Sequence, residues 1–599
     1  MDLKDLHLHW GECKYKGSSY RSYSLARPYR ENGKNRKEMV FKLGKLTEDE
    51  VLRWRYLLKG LKIPGAVVTT VDDLVVSKHY AYLDVAVASA IWDYWGLDEV
   101  FDRSEKKSIE VSAVARILSI NRCIDPMSKS KTPEWFETTA LSWLLNISSD
   151  KVNSSRIFRE LSEIEQHKET ICKHIYNKIK DDDPDSLDSV FYDLSSTTFS
   201  GSKCLLMKWG LCKEGYKNHV VLALVVNRDG LPFYWEVLPG CTADSNTLVW
   251  LIERCRKRFT NIETTLVFDR GMVSDDNLCS LEETGVKYIT AMDRNQIEGI
   301  TGIDFTQFRD LKANKIERQA LKLPKFKMVN KDTTYYREIK AEGNRRYILC
   351  FNPQLFEDQR KARLQAVENF CAFANMVNAE LLGAKNSRDK EATYEKFNRK
   401  CKKLKLTQFV DVKLRAKKLT RNDKKRTIRT FQGTVVVDEK KMLSAGKLDG
   451  FWLAVTNHTE KVGRNFEKSP EEIIVPYREK TIIEAGFRDI KSFIQVEPVY
   501  VWTETHVKGH YTVCVLGYLI DRTLTLRLHE NLGSLTRDVV THERLFEKLS
   551  SCQIDKIEVE RSGHCAYNLT RPSKEQEELL TRIGLKDLLK YKVEKNPPF

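Results

Sequence analysis

Two aspartates close apolar runs in the middle of this 599-residue chain. Asp193 ends "SVFYD" and Asp269 ends "TLVFD", and each is followed within two residues by a small or turn residue, Ser195 or Gly271. Such short apolar runs read as buried strands, so both carboxylates fall at carboxyl-terminal strand ends, where open sheets place their ligands. A charge there is costly without a cation or a hydrogen-bond donor. Either aspartate alone reads first as the cap of a turn or helix. Together, on neighbouring strands, they suit a hard cation such as Mg2+, which takes oxygen ligands and keeps waters. Two such ions about 3.5–4 Å apart can activate an attacking oxygen and stabilise the leaving oxygen of a phosphodiester. That chemistry calls for a third carboxylate.

The stretch "PYREKTIIEAGFRDIKSF" (476–493) offers three: Glu479, Glu484 and Asp489. Read as one helix at ~100° per residue, it places Tyr477, Lys480, Arg488 and Lys491 within about 40° of Glu484. Ile483, Phe487, Ile490 and Ile494 form an adjacent apolar stripe, while Glu479 and Asp489 project to the opposite side. Ile482 and Phe493 are apolar on that far face, which implies a helix covered on both sides. Without the upstream aspartates, Glu484 and Arg488 are an ordinary i, i+4 pair worth ~0.3–0.5 kcal/mol. With them, Glu484 is the candidate third ligand, and Glu479 and Asp489 are left to solvation and helix pairing.

The elements that must position these residues follow from pattern. "SLDSVFYDL" reads as a buried strand, and "HVVLALVVNRDGLPFYWEVL" as two strands joined at Asn227–Gly230. "NTLVWLIERCRKRF" reads as a helix, "ETTLVFD" as a strand, "SDDNLCSLEETG" as a helix capped by Ser274, and "VKYITAMD" as a fifth strand. Three consecutive strands followed by strand–helix alternation describe a mixed sheet with helices on its faces. Upstream, residues 20–44 read as a basic hairpin turning at Asn32-Gly33. Helices are predicted over 48–61, 82–95, 108–121, 133–145 and 152–179. The basic hairpin and the helices before the acidic linker "KDDDPDSLD" are each equally a DNA contact or a scaffold with a solvated face. Downstream, short strand-like pieces surround a long helix at 356–382. Helices are expected again at 469–493 and through "HVKGHYTVCVLGYLIDRTLTLRL", and no motif marks the chain beyond 530.

The expected domains are a basic hairpin region (1–66), a helical region with possible DNA binding (67–185), a catalytic core in two parts (186–292 and 471–530), an insertion domain (293–470) and a tail (531–599). Within the insertion, residues 385–429 carry eighteen Lys and Arg against five Asp and Glu. "EKFNRKCKKLKL" and "VKLRAKKLTRNDKKRTIR" read as solvated helix faces, or as contacts to a polyanion that relieves their self-repulsion.

The whole chain is basic, with a net charge of +16, and 41% of its residues are hydrophobic. The balance favours a soluble protein with a polyanionic partner. No apolar run is long enough for a bilayer, and the first residues lack a signal-peptide core, so the expected place is the cytoplasm, at the nucleoid. Fourteen scattered cysteines form no Cys-x-x-Cys pair, which argues against a thiolate metal site or a disulfide framework.

Tyr477, Lys480, Glu484 and Lys491 resemble the Y-x2-R-x3-E-x6-K signature of DDE transposases of bacterial insertion sequences, IS-4 group. "FYDLSSTTF" and "VFDRGMVSDDNL" resemble that group's first and second aspartate motifs, and "GLPFYWEVLPGCTADSNTL" the region between. "YRENGKNRKEMVFKLGKL" and "GFRDIKSF…EPVYVWTETHVKGH" are similar to the IS-1634 branch. The resemblance implies an α/β fold: an RNase H-like mixed-sheet catalytic core interrupted by a strand-rich insertion domain, with a mostly helical N-terminal region. It implies that Asp193, Asp269 and Glu484 bind two Mg2+ ions, Mn2+ being able to substitute. Tyr477, Lys480, Arg488, Lys491 and Arg270 would contact DNA. The partners implied are double-stranded DNA, both element ends and target, and a second copy of the chain in a synaptic homodimer. Phosphodiester hydrolysis and strand transfer, cut-and-paste transposition, is the implied activity. A silent or domesticated DNA-binding protein, or a nuclease without strand transfer, is the alternative. Three departures stand out: Lys480 replaces the signature arginine, Gly240-Cys241-Thr242 replaces Gly-Asn-Thr, and Glu497 stands where arginine is common. Trp452 and Trp502 read as core residues first, and as platforms for an extruded base second.

Overall fold

The computed structural model describes residues 3–63, 66–101, 109–200, 203–242, 247–250, 253–254, 264–305, 327–329, 334–421, 426–530, 542–560 and 563–591. The chain divides into two units, one of Met1–Val87, Pro133–Lys151 and Glu543–Phe599, the other of Ala88–Thr132 and Val152–His542.

In the first unit, β1 (His7–Tyr15), β2 (Ser18–Glu31) and β3 (Lys34–Gly44) form an antiparallel sheet. The β2–β3 turn is the predicted Asn32-Gly33, with φ of 51° and 75°, the left-handed pair that matches strand twist. A capping box of Thr47 and Glu50 opens the expected helix Glu48–Leu61. The predicted helix over 133–145 is instead two short ones, Thr132–Glu137 and Leu141–Leu145. Between them the Thr138 and Thr139 hydroxyls donate back to the carbonyls of Trp135 and Phe136, and Ala140 N–H bonds the Ala81 carbonyl. Those competing bonds end the first helix. β4 (Leu74–Ala81) pairs with Gln553–Val559, which pairs with His564–Leu569. The motif-free tail therefore supplies two strands.

The second unit is built on one large mixed sheet. Its first strands are β5 (Ser189–Thr198), β6 (Lys208–Cys212), β7 (Gly215–Val226), β8 (Pro232–Pro239), β9 (Thr265–Phe268) and β10 (Lys287–Ala291). β11 (Lys327–Met328), β12 (Tyr335–Glu342) and β13 (Arg345–Phe351) follow; then β14 (Val410–Arg421) and β15 (Arg426–Val437) leave the sheet, and β16 (Phe451–Thr456) rejoins it. Among the described residues the order is β11-β12-β13-β16-β10-β9-β5-β7, with β6 and β8 sharing the far edge of β7. β5, β9 and β10 are parallel, and β7 and β16 flank them antiparallel. β5 and β7–β10 match the five strands expected from sequence. Ser274 caps the helix Asp275–Glu283 as expected, its hydroxyl accepting from Asn277 N–H. Much of "NTLVWLIERCRKRF" lies outside the described residues.

β12, β13 and β16 extend the same sheet, so the part of the 293–470 segment that leaves it runs from 353 to 450. It comprises the helices Pro353–Leu382 and Lys390–Lys403 and the β14–β15 hairpin, around a core of its own that includes Phe370, Leu381, Phe397 and Phe409. "EKFNRKCKKLKL" is helical through Lys403, but "VKLRAKKLTRNDKKRTIR" is not. It forms a hairpin in register from Val410↔Val437 to Arg421↔Arg426. The physical reason is the period of two: Val410 and Val412 turn into that core, while Lys413 and Arg415 face outward.

Helices cover the sheet. The predicted 152–179 helix is two, Ser154–Gln166 and Lys168–Asp182, broken at His167. The helix Glu504–Glu530 is buried along most of its length, as the unbroken apolar pattern of its middle requires. A Cβ on Gly509 would stand 2.1 Å from the Leu161 carbonyl, so only glycine permits that approach of two helices. No helix among the described residues is long and apolar enough to cross a membrane.

Candidate active site

Tyr192 and Phe268 face each other in register on the parallel strands β5 and β9. Asp193 and Asp269 are the next residues and stand side by side, about 5 Å apart. Asp269 follows the end of β9 as expected, but Asp193 lies within β5, because β7 goes on pairing with β5 as far as Thr198. The Leu194 N–H donates to Asp193 Oδ1 at 2.8 Å. After Asp269 the chain turns at Arg270–Met272, and the Asp269 carboxylate makes no cap bond to that turn.

Glu484 reaches this edge from two helices, Pro470–Glu479 and Thr481–Ser492, that abut at Lys480. A capping box of Ser469 and Glu472, with Pro470 at the first helical position, fixes the start. Ile483, Phe487 and Ile490 are buried, as the predicted stripe requires, and the second helix packs on β5, β7 and the Glu504–Glu530 helix. The last contact is close. A Cβ on Gly486 would stand 2.7 Å from the Tyr518 hydroxyl, which donates to the Gly230 carbonyl at 3.0 Å. Arg522 Nε donates to the Asp229 carbonyl at 2.6 Å, so the β7–β8 turn is anchored to the same long helix.

The Lys480 ammonium sits among the carboxylates. It is 2.5 Å from Asp269 Oδ1 and 3.6 Å from Glu484 Oε1. Burial pushes the Asp193 carboxyl up to about 6, and the charge of Asp269 adds to this, against the Leu194 N–H, Lys213 and Lys480. Burial would also raise Asp269, but the hydrogen bond and charge of Lys480, with Arg270 behind them, hold it below the usual carboxylate range. Burial of the one and the cation bonded to the other thus drive two neighbouring carboxyls apart in proton affinity.

The other predicted residues fall as follows. Tyr477 stacks on Trp452, ring centroids 5.0 Å apart and 26° between planes, with Lys480 Nζ 5.4 Å from the Tyr477 centroid. Burial, then Asp269, raises the Tyr477 phenol well above its ordinary value. Lys491 donates to the Ser196 carbonyl at 2.6 Å and pairs with Glu214 at 3.2 Å and Glu497 at 3.9 Å. Glu497 accepts from both the N–H and the hydroxyl of Thr198, so the charge reversal at this position is balanced within the protein. Arg270 is exposed beside Asp269; Arg488 is exposed and 3.8 Å from Asp489. Glu479 pairs with Arg228 through both oxygens, at 3.1 and 3.3 Å. The structure therefore gathers Asp193, Asp269, Glu484, Lys480 and Tyr477 and leaves Glu479 outside. Sequence reasoning missed Lys213 and Glu214, which the β6–β7 turn brings to the site; only their place across the sheet from β5 could have marked them.

Among the described residues no three acidic, His or Cys side chains stand as a ready-made metal cluster. A positive charge nonetheless touches two of the three carboxylates and acts on the third. Oxygen donors around a stand-in cation fit a hard divalent ion in kind.

A mixed sheet with three antiparallel strands followed by two parallel ones, and acidic residues side by side at its two adjacent central strands, is the arrangement of the RNase H-like class. The comparisons narrow this. Residues 190–518 match the family model described as the transposase DDE domain, and residues 12–66 that of the IS1634 family transposase, N-terminal domain. The first match spans more than half of the chain, and the chain belongs to the DDE transposases, in the IS1634 branch. It is a DNA transposase, of a family that works with divalent metal ions. Among solved structures it is similar to a piggyBac transposase synaptic complex with hairpin DNA, at 8% identity over 78% of this chain and 79% of that chain, TM-score 0.32. It is also similar to a Mos1 transposase paired-end complex with left transposon end, at 14% identity over 31% of this chain and 61% of that chain, TM-score 0.14. A Mos1 mariner paired-end complex with Mn matches at 15% identity over 40% and 72%, TM-score 0.13. No curated protein matches. The family assignment rests on the family models.

Proposed function

We propose that Asp193, Asp269 and Glu484 hold two Mg2+ ions, which Mn2+ can replace, and that the protein cuts and joins DNA at the ends of an insertion sequence. The observation that carries this is that Asp193 and Asp269 stand side by side on adjacent strands while Lys480 pairs with Asp269 and the helical Glu484 and its charge acts on Asp193. When bound, the ions supply polarisation of the scissile phosphodiester and activation of the attacking oxygen, water in the first step and a freed 3′-OH in the second. The chain's own part is positioning. β5 and β9 fix two carboxylates on a rigid sheet, and the Gly486–Tyr518 contact fixes the helix that brings the third.

Lys480 holds the acidic cluster together in the absence of other cations and turns to a DNA phosphate when they arrive. As a lysine it makes a point-charge contact where arginine would make a bidentate one. Arg270 and Arg488 are exposed at the rim and contact phosphate; Tyr477, backed by Trp452, walls the site. Lys491 braces β5 at Ser196. Two copies act together, one at each element end, on chromosomal DNA in the cytoplasm.

The test is cleavage and strand transfer by the full chain on its own element ends with Mg2+, wild type beside Asp193→Ala, Asp269→Ala and Glu484→Ala. Loss of both activities in all three supports the triad, and wild-type activity in any one removes that residue from it. Cutting without joining by the wild type would make the protein a nuclease, and binding without cutting a silent DNA-binding protein.

A further inference from the structure

Away from the carboxylates, the second unit contains a cavity of about 910 Å3. It lies between the chain after the Val111–Ile124 helix, Phe158, the segment 498–502 and the start of the Glu504–Glu530 helix. Its lining joins two chemistries. On one side are Arg122 and Lys129, each more than nine-tenths buried. The Lys129 ammonium has no hydrogen-bond partner among the described residues, and Arg122 Nε has none either. Arg122 is fixed by its other nitrogens, which donate to the carbonyls of Gln495 at 3.1 Å and Met127 at 2.5 Å. On the other side are Tyr500 and Trp502, with 72% and 60% of their surface exposed. Lys203 Nζ lies 5.9 Å from the Trp502 ring centroid. Asp125 is the one acidic residue in the lining and is exposed at the rim.

Neither half is explained by packing. A cation held without a partner opposes folding, and burial together with the charge of Arg122 drives Lys129 well below its ordinary lysine range. An anion in the cavity would reverse that cost. Two large exposed aromatic rings grouped at the mouth of a cavity form an apolar patch of the kind that marks a ligand-binding groove. An anion joined to a flat apolar group satisfies both, and a nucleotide is that combination.

We propose that this cavity binds an unpaired nucleotide, its phosphate at Lys129 and Arg122 and its base against Trp502 and Tyr500. The site is separate from the carboxylate triad and does not rest on the metal assignment. The nucleotide is part of a DNA strand or free in solution, and the two sources share this chemistry.

The full chain is titrated with a fluorescein-labelled, 5′-phosphorylated five-residue thymidine oligonucleotide, with unlabelled thymidine monophosphate and inorganic phosphate as competitors. Trp502→Ala and Lys129→Met should each weaken binding about fivefold or more, while Lys129→Met raises the melting temperature by removing a buried lone cation. The titration is run without divalent metal, so its outcome does not depend on the triad and failure here stays distinct from failure there. Competition by the monophosphate assigns the site to any nucleotide; competition by unlabelled oligonucleotide alone assigns it to a DNA strand. Unchanged affinity in Trp502→Ala and Lys129→Met overturns the proposal, as does full competition by inorganic phosphate with no effect of Trp502→Ala. Should Lys129→Met fail to fold, Tyr500→Ala and Trp502→Ala, both on the surface, decide the matter alone.

Discussion

Two cation-rich regions of this transposase treat their charge in opposite ways. Along the signature helices, Lys480 is bonded to Asp269 and Lys491 to Ser196, Glu214 and Glu497. On the β14–β15 hairpin, Lys413, Arg415 and Lys418 are exposed and form no ion pair among the described residues, and Lys418 stands directly across from Arg429. Like charges opposed on a sheet repel. Cations beside the carboxylates thus balance charge inside the protein, whereas those of the hairpin leave a net field outside it. The difference shifts the expected hold on the DNA backbone from the signature lysines toward the hairpin.

Substitutions can break this comparison. Glu484→Gln should lower DNA cleavage roughly a thousandfold or more, as for groups that act as a unit, while Glu479→Gln, which only loses Arg228, stays within about threefold; single-turnover assays on one end substrate compare them. Lys480→Met should reduce cleavage roughly 10–100-fold, the range for residues that orient metal-binding groups, and the loss should appear in the dependence on Mg2+ concentration. If Lys480 acted only as a DNA anchor, its loss would appear in DNA affinity instead. Changing Lys413, Arg415 and Lys418 together to Gln should reduce the slope of log affinity against log salt by about 3, with no loss of thermal stability. An unchanged slope would place the polyanion contact elsewhere.

Smaller effects test the frame. Gly486→Ala should cost about 1–3 kcal/mol in chemical unfolding, the range for overpacking, and Tyr518→Phe in the same chain should recover part of it by removing the hydroxyl in the way. The last concerns how the core treats a cation it does not pair. Burial, then Lys468 and Lys287, lowers His458 to about 4, with its Nε2 2.9 Å from the Thr265 hydroxyl at the far end of β9. The folded state therefore favours the neutral ring. That contribution is complete above the unfolded value of about 6.5 and is lost as pH falls toward 4. The melting temperature of His458→Gln should accordingly fall less than that of wild type across that interval.

Much of this was legible in the chain. Asp193 and Asp269 stood out because apolar runs end at them, and Glu484 because cations and a tyrosine share its helical face. The hairpin at Asn32-Gly33 and the Ser274 cap follow from local chemistry that tertiary context did not override. The β14–β15 hairpin was misread because charge density drew attention from a plain alternation, Val410-x-Val412-x-Leu414. The break at Lys480 had no signal: Pro476 lies within the first helix, and the junction comes four residues later. What Lys480 and Lys491 touch could not be read either, since Asp269, Ser196 and Glu214 come from strands and turns far away in sequence. Periodicity gives a side chain's direction and says nothing of its partner.

The placement of the third carboxylate also has a consequence in time. β5 and β9 are made early, but Glu484 is reached only after the whole segment that carries β11 to β16. At 5–20 residues per second on the ribosome, on the order of tens of seconds separate the second acid from the third. Through that interval the growing chain carries two of its three acids and lacks the Glu504–Glu530 helix that covers its sheet, so a chain released early has no complete site.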